Sequence, residues 1–405
     1  MKAILAAAAL LSPAATQASP CTTRVCNFDT LAPYFARVAQ ARPARGVPPV
    51  HILQIGDSHT AGDVTTAAWR DLLQARYGNG GRGVLPPGRP YAGYLTKGVT
   101  ASMSPDWLVG ATFGPGSVEW RPLLGLASFS LSTNAPGAEM ALAADTPDMA
   151  FDRFVLCAGA GMFARSVTVR TADGDRQLDL NSAVAEPRCT TLKYAVPQMK
   201  AEVIADHGPV TLTSWGTFRD NGGVALSNVG IIGSQLQHFA TTDDDVLAVE
   251  FKAYAPDLIV LAFGTNEGFG PRLDTGAYEA VLRGQIARLR ALAPGVPLLL
   301  LGPPDALSRT PELRGDAPAC PGTGTPPLFV PLALAQVRAV QRRVAGEMNI
   351  AWWDWQAAMG GPCSAARWAA AGLMRADKVH LLASGGAIVA ARLQADLDRA
   401  MAEMH

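Results

Sequence analysis

Apolar positions along the chain follow two rhythms. Residues 51–55 form an apolar run that breaks at Gly56, and a helical pattern follows over residues 63–77. Gly78 stands just past the end of that pattern, where a C-terminal cap is expected. After Asn221 the alternation of strand and helix returns. Residues 224–232 read as a strand ending at Gly233, and residues 257–263 and 296–301 as strands buried on both faces. Helical periodicity covers residues 275–292 and 332–348, residues 350–354 form a short strand, and Ser384 is placed to cap a last helix running toward Met401. This order implies a mostly parallel sheet with helices on both faces, an α/β fold whose ligands bind beyond the carboxyl ends of the strands.

Between residues 96 and 218 the rhythm changes. No strong helix appears there. Short runs of alternating or β-branched residues lie between Gly, Pro, Asn and Asp, for example residues 117–120, 129–132, 166–170 and 210–213. Asp173-Gly174 is a hairpin signal. A β-sandwich inserted into the α/β domain is the reading, which gives three parts: a secretory signal over residues 1–18, an α/β domain made of 19–95 and 219–405, and the insert 96–218. The signal rests on Lys2, the apolar run 4–11 and Thr16-Gln17-Ala18 as a cleavage site. The apolar run is too short to span a bilayer, so an exported chain, periplasmic or secreted, is expected.

Composition narrows the partners. Lys plus Arg equals Asp plus Glu at 34 each, so no basic face for nucleic acid or anionic lipid is implied. The six cysteines all follow the signal, and their even number in an exported chain favours disulfides. Proximity in sequence pairs Cys21–Cys26, Cys157–Cys189 and Cys320–Cys363. No Cys/His spacing suggests a metal site, and no cofactor is expected.

Three strand ends carry the candidate chemistry. Gly56-Asp57-Ser58 puts a hydroxyl on a tight turn beside a helix N-terminus, a good position for a nucleophile whose adduct becomes an oxyanion. By itself such a turn is also an ordinary capped strand–helix connection. Ser58 needs a base, and only six histidines exist. His59 is the neighbour of Ser58, His51 belongs to the strand and His405 is the last residue, while His207 and His238 have no carboxylate at a useful spacing. His380 has Asp377 three residues earlier, close enough to fix one tautomer and to stabilise the imidazolium. Oxyanion donors are assigned to the backbone N–H groups of Ser58 and Gly233 and to the side-chain amide of Asn266. Gly230 competes with Gly233, which is favoured because it directly ends the apolar stretch. Asp57 is read as bracing the nucleophile turn, and Glu267 as either orienting its loop or being solvated. The loop 78–83 is placed near the active-site edge. Trp107, Trp120, Phe129, Phe151 and Trp215 of the insert are core residues by default, with sugar stacking as the other reading.

Gly56-Asp57-Ser58, Gly233, Gly264-Thr265-Asn266 and Asp377-x-x-His380 resemble, in order, the four blocks of the SGNH (GDSL-type) hydrolases. The resemblance covers residues 50–80 and 220–400. It implies a flavodoxin-like three-layer α/β/α domain and an acyl-ester hydrolase with Ser58, Gly233, Asn266, Asp377 and His380 as its functional residues. Residues 77–83, Gly264-Thr265-Asn266-Glu267 and Gly360-Gly361-Pro362-Cys363-Ser364 are similar to the exported bacterial peptidoglycan O-acetylesterases, which carry a carbohydrate-binding-module-like β-sandwich between the first two blocks. That similarity implies an O-acetylated glycan as substrate, with 6-O-acetyl muramic acid first. Leu381-Leu382-Ala383-Ser384-Gly385-Gly386 departs from those enzymes' pattern, which leaves xylan and other acetylated polysaccharides open, as well as transfer of the acetyl group to a sugar. A wall-binding protein with a relic hydrolase domain is the non-catalytic alternative, against which the full set of Ser, Gly, Asn, Asp and His stands.

Overall fold

The computed structural model describes residue 21 and residues 24–114 and 123–404. The proposed signal over 1–18 and the strand expected over 117–120, with Trp120, lie outside the described residues.

A six-stranded sheet forms the centre of the α/β part. Its spatial order is Val25–Cys26, Ala351–Trp353, Leu298–Leu301, Leu258–Ala262, Val50–Gly56 and Val224–Gly230. All pairings are parallel except the first, where Val25 and Cys26 run antiparallel to Trp353 and Trp352. Every residue of Val50–Gly56, Leu258–Ala262 and Leu298–Leu301 is buried, because helices cover both faces. Thr65–Tyr77 and Ala383–Ala402 pack on one face, with Trp69, Leu73, Val389, Leu393 and Leu397 in that core. Asp244–Tyr254, Thr275–Leu292 and Leu332–Glu347 cover the other face. This is the three-layer α/β/α arrangement of the sequence expectation. Val50–Gly56 lies between its partners, so its carboxyl end opens where the chain switches direction across the sheet.

The β-rich part consists of two antiparallel sheets. One has five strands, Gly174–Asp179, Ser166–Thr171, Lys200–His207, Glu139–Ala144 and Val99–Met103. The other has six, five of them in its main path, which includes Glu186–Gln198, Phe151–Ala160 and Val210–Phe218. Period-two alternation decides their faces. Val167, Val169, Ala201, Val203 and Ala205 meet Phe154, Leu156, Ala158, Leu212 and Trp215 inside the sandwich. The intervening Val155, Cys157 and Phe218 point the other way and join Leu247, Phe251, Tyr254 and Ala225 of the α/β part in one core. Short strand Gly83–Leu85 pairs with Trp215, Gly216 and Thr217.

A buried carboxylate ties the two parts further. Glu250, on the helix Asp244–Tyr254, accepts from the hydroxyls of Thr213 at 2.7 Å and Ser214 at 2.5 Å and from the Leu126 N–H at 2.6 Å. The three disulfides are Cys21–Cys26, Cys157–Cys189 and Cys320–Cys363, the pairs that proximity predicts. Trp107, Phe129, Phe151 and Trp215 are all buried, as are Trp352, Trp353, Trp355 and Trp368.

Three local expectations are corrected. The strand expected to reach Gly233 stops at Gly230, because its partner Gly56 is the last residue of the neighbouring strand and no ladder continues beyond it, and the chain turns away after Ile231. The last helix begins at Ala383 with Leu382 as its N-cap, and the Ser384 hydroxyl donates instead to the Gly372 carbonyl at 3.1 Å. The loop 78–83 lies along the edge strand: Gly80 N–H donates to Val224 at 3.0 Å, and Arg82 is fully buried.

Candidate active site

Ser58 opens a single helical turn, Ser58–Ala61, separate from the longer helix that begins at Thr65. Asp57 is its N-cap, and its Oδ1 accepts from the His59 N–H at 2.9 Å. As the first helical residue, Ser58 has a backbone N–H with no intrahelical acceptor. Burial pushes the Asp57 carboxyl up to about 7, and nearby Glu267 adds to that, while the His59 N–H works against it.

The Ser58 Oγ lies 2.9 Å from His380 Nε2, and His380 Nδ1 lies 2.9 Å from Asp377 Oδ2. With Nδ1–H donating to the carboxylate, Nε2 carries the lone pair that faces the hydroxyl. The residues 375–380 form the turn that holds this pair. It is closed by the Arg375 N–H to the His380 carbonyl at 2.8 Å, and Lys378 takes a left-handed conformation at φ +56°. Asp377 acts twice in it: Oδ1 accepts from the N–H groups of Val379 and His380, and Oδ2 faces the ring. Partial burial pushes the Asp377 carboxyl up, but the two N–H groups and the imidazole outweigh it and hold the group below the usual carboxylate range.

His59 is buried with its ring 5.4 Å from that of His380 and 5.5 Å from that of Trp355. Burial, and then the charge His380 would carry, lower it to about 3, so it is neutral at neutral pH.

The other two loops sit beside the serine. Gly230 passes against Asp57 and Ala61, and the Ile231 N–H donates to the Gly56 carbonyl at 3.2 Å. Gly233 has φ +82°, in the region that favours glycine, and its N–H has no backbone acceptor among the described residues. Asn266 Nδ2 donates to the Ser234 carbonyl at 2.8 Å, which uses one of its two hydrogens and ties its loop to that of Gly233. Glu267 is buried, and its Oε1 accepts from the Leu236 N–H at 2.7 Å; it orients the Gly233 loop rather than being solvated. Burial raises its carboxyl.

Behind the serine lies a network that the sequence reading missed. Asp63 is buried and accepts from Arg70 at 2.8 Å, Arg82 at 3.1 Å, the Thr66 hydroxyl at 2.7 Å and the Lys97 N–H at 3.0 Å. Asn228 Oδ1 accepts from the same two guanidinium groups, and its Nδ2 donates to the Thr60 carbonyl at 2.9 Å, inside the turn that Ser58 opens. The spacing of these residues carries no periodic signal, so only the fold brings them together.

Ser58 and His380 open into a cavity of about 170 Å³, lined also by His59, Val64, Thr65, Ile232, Arg375 and Leu381. Arg375 is exposed, and its guanidinium forms no ion pair among the described residues. No cluster of His, Cys, Asp and Glu that could hold a metal ion occurs among the described residues, and no described helix is long and apolar enough to cross a membrane. The arrangement can do acyl transfer: a hydroxyl, a base within reach, a carboxylate orienting the base, and N–H groups beside the hydroxyl.

Comparison with known proteins agrees with this chemistry. The model of the GDSL-like Lipase/Acylhydrolase family matches residues 206–388, a span that holds Gly233, Asn266, Asp377 and His380 but begins after Ser58. A solved peptidoglycan O-acetylesterase is 25% identical, with a TM-score of 0.76, over 94% of this chain and 100% of its own. A family two carbohydrate esterase from Cellvibrio japonicus is 14% identical with a TM-score of 0.29, over 76% of this chain and 99% of its own. No match was found among curated proteins. From the sheet order, the matched span and the likeness over nearly the full chain, the protein is a serine esterase with the SGNH hydrolase fold, similar to the GDSL-like Lipase/Acylhydrolase family over residues 206–388.

Proposed function

We propose that the protein is a carbohydrate O-acetylesterase that acts through an acetyl-Ser58 intermediate, with O-acetylated peptidoglycan as the first candidate substrate. The observation that carries the reading is the Ser58–His380–Asp377 chain, each link 2.9 Å, at the carboxyl ends of the central strands. The solved peptidoglycan O-acetylesterase is similar over nearly all of this chain, the β-sandwich included, which supports a glycan ester over a lipid one.

In the first half-reaction the Ser58 oxygen attacks the acetyl carbonyl carbon as His380 Nε2 takes its proton. The adduct's oxygen is held by the N–H groups of Ser58 and Gly233 and the free hydrogen of the Asn266 amide. Collapse breaks the carbonyl-to-sugar-oxygen bond, and His380 returns the proton to the departing hydroxyl. Water then attacks the acetyl-serine as His380 takes one of its protons, the bond between the Ser58 oxygen and the carbonyl carbon breaks, and acetate leaves as His380 returns the proton to Ser58. Asp377 keeps the imidazole in one tautomer and stabilises it when protonated, while His59 stays neutral beside it. No cofactor enters these steps.

The test is acetate release from acetylated peptidoglycan, xylan and chitin-derived oligomers, by the mature protein and by Ser58→Ala. Release from one or more glycans by the wild type and none by the variant is the expected outcome. Full activity in Ser58→Ala, or a wild type inert on all of them, overturns the proposal. Adding free sugar acceptors and analysing the products separates hydrolysis from transfer.

A further inference from the structure

A second cavity, of about 600 Å³, shares Ile232 with the cavity at Ser58. Ile232 lines both spaces, and it is 58% exposed although large and apolar. Tyr91, Val109, Phe113, Phe129 and Ile231 form much of the rest of the wall, and no charged side chain lines it among the described residues. Its rings come from the β-rich part and the segment leading into it, whereas Ile231 and Ile232 come from the loop of Gly233. The two parts of the molecule therefore meet in one cleft.

The rings are held in place before any ligand arrives. Phe113 stacks on His238 with centroids 4.3 Å apart and planes at 23°. Its edge also approaches the Gly233 loop, 3.1 Å from where a side chain on Gly233 would begin. Tyr91 sits edge-on to Tyr94 at 5.4 Å and tilted against Phe129 at 5.8 Å. A cleft of this size lies in the range of small-ligand sites and far exceeds what an acetyl methyl needs. Pre-set aromatic faces beside a reaction centre suit the flat apolar C–H face of a pyranose ring, whose hydroxyls point to its rim and can stay in water.

We propose that this cleft is a glycan subsite, in which Tyr91 and Phe113 stack against a sugar ring next to the acetylated one while Ile232 separates that ring from the scissile ester. The inference rests on the esterase reading above and adds to it the residues that select a glycan over a small ester. In this site the β-rich part binds the substrate polymer within the catalytic cleft, and the oxyanion loop forms the partition.

The experiment compares kcat/KM for acetate release from acetylated chito-oligosaccharides and acetylated peptidoglycan fragments with kcat/KM for p-nitrophenyl acetate. Tyr91→Leu, Phe113→Leu and the exposed Ile232→Ser are used, with thermal melting to establish folding. Leu keeps apolar volume but removes the π face. The glycan-to-small-ester ratio falls about tenfold in each Leu variant, mainly through KM, as expected for one lost aromatic contact. Phe113→Trp and Tyr91→Phe restore it. An unchanged ratio in a wild type that does release glycan acetate overturns the subsite alone. A wild type inert on every glycan refutes the esterase reading and the subsite with it. A shift in preference among p-nitrophenyl acetate, butyrate and octanoate with an unchanged glycan ratio shows an acyl-chain pocket and also overturns the proposal.

Discussion

Asp63→Asn isolates the buried charge behind Ser58. Asp63 adopts φ 47°, a left-handed conformation that Asn also tolerates, so the substitution changes charge and hydrogen bonding while leaving the backbone unstrained. The single carboxylate faces two buried arginines, Arg70 and Arg82. Burial, followed by the like charge of Arg70, already lowers Arg82 to about 10. In the variant an amide NH2 would face N–H donors, and both guanidinium charges would lose their counter-ion. Breaking a buried pair of this kind costs about 3–5 kcal/mol. At roughly 2.1 cal/mol/K of unfolding entropy per residue, a chain this long has about 0.8 kcal/mol/K, so Tm falls by about 4–6 °C. Burial pushes the Asp63 carboxyl up, but Arg70 and Arg82 outweigh it and hold it at about 2, against 3.8 for a free group. A folded-state value below the unfolded one means stability that is present above about pH 4 and is lost as pH falls toward 2. The gap in Tm between wild type and variant should therefore be full at pH 5 to 7 and narrow below pH 4. Scanning calorimetry across that range measures it. A Tm within 1 °C of wild type at pH 7, or a gap that does not narrow in acid, refutes the reasoning.

The remaining predictions concern the site. Asp377→Asn should lose less activity on p-nitrophenyl acetate than His380→Ala, since the carboxylate acts through the imidazole; equal losses would show Asp377 acting in another way. Glu267→Ala should lower kcat by about tenfold or more with little change in KM, because it frees the Leu236 N–H that anchors the Gly233 loop, whereas Glu267→Gln retains an acceptor and most of the rate. A Gln variant as impaired as the Ala variant would assign the effect to charge instead. Gly230→Ala should lose activity and stability together, because its new methyl would sit 2.8 Å from the Asp57 carbonyl and the Ala61 N–H; a fully active, equally stable variant would show that the two loops can part.

Much of the fold was legible because the α/β part repeats strong local signals. Runs such as Leu258–Ala262 are apolar throughout, and Thr275–Leu292 has helical bounds visible in its periodicity. Ser58, Asp377 and His380 were legible for another reason: each lies at a strand end or turn with its partner type in short supply, and the structure brings the three side chains together. What escaped is what depends on packing. Gly233 looked like a strand end, but the strand stops at Gly230, opposite the last residue of its neighbour, Gly56. Ser384 had the right residue type for a cap, yet its hydroxyl is taken by Gly372, a contact twelve residues away. Arg82 looked like part of a loop at the active-site edge and is fully buried on Asp63 and Asn228, partners distant in sequence. Arg375 and Ile232 line the cavity at Ser58 without any local mark.

The shared core around Glu250 has a mechanical consequence. When a binding module hangs on a linker, its reach and effective concentration follow linker length. Here the helix Asp244–Tyr254 is clamped to the sandwich through Thr213, Ser214 and Leu126, leaving no hinge at that seam. A polymer strand lying across both parts would meet the serine at one fixed offset, as in a vice with a set jaw, and sites of the wrong spacing along that strand would be skipped.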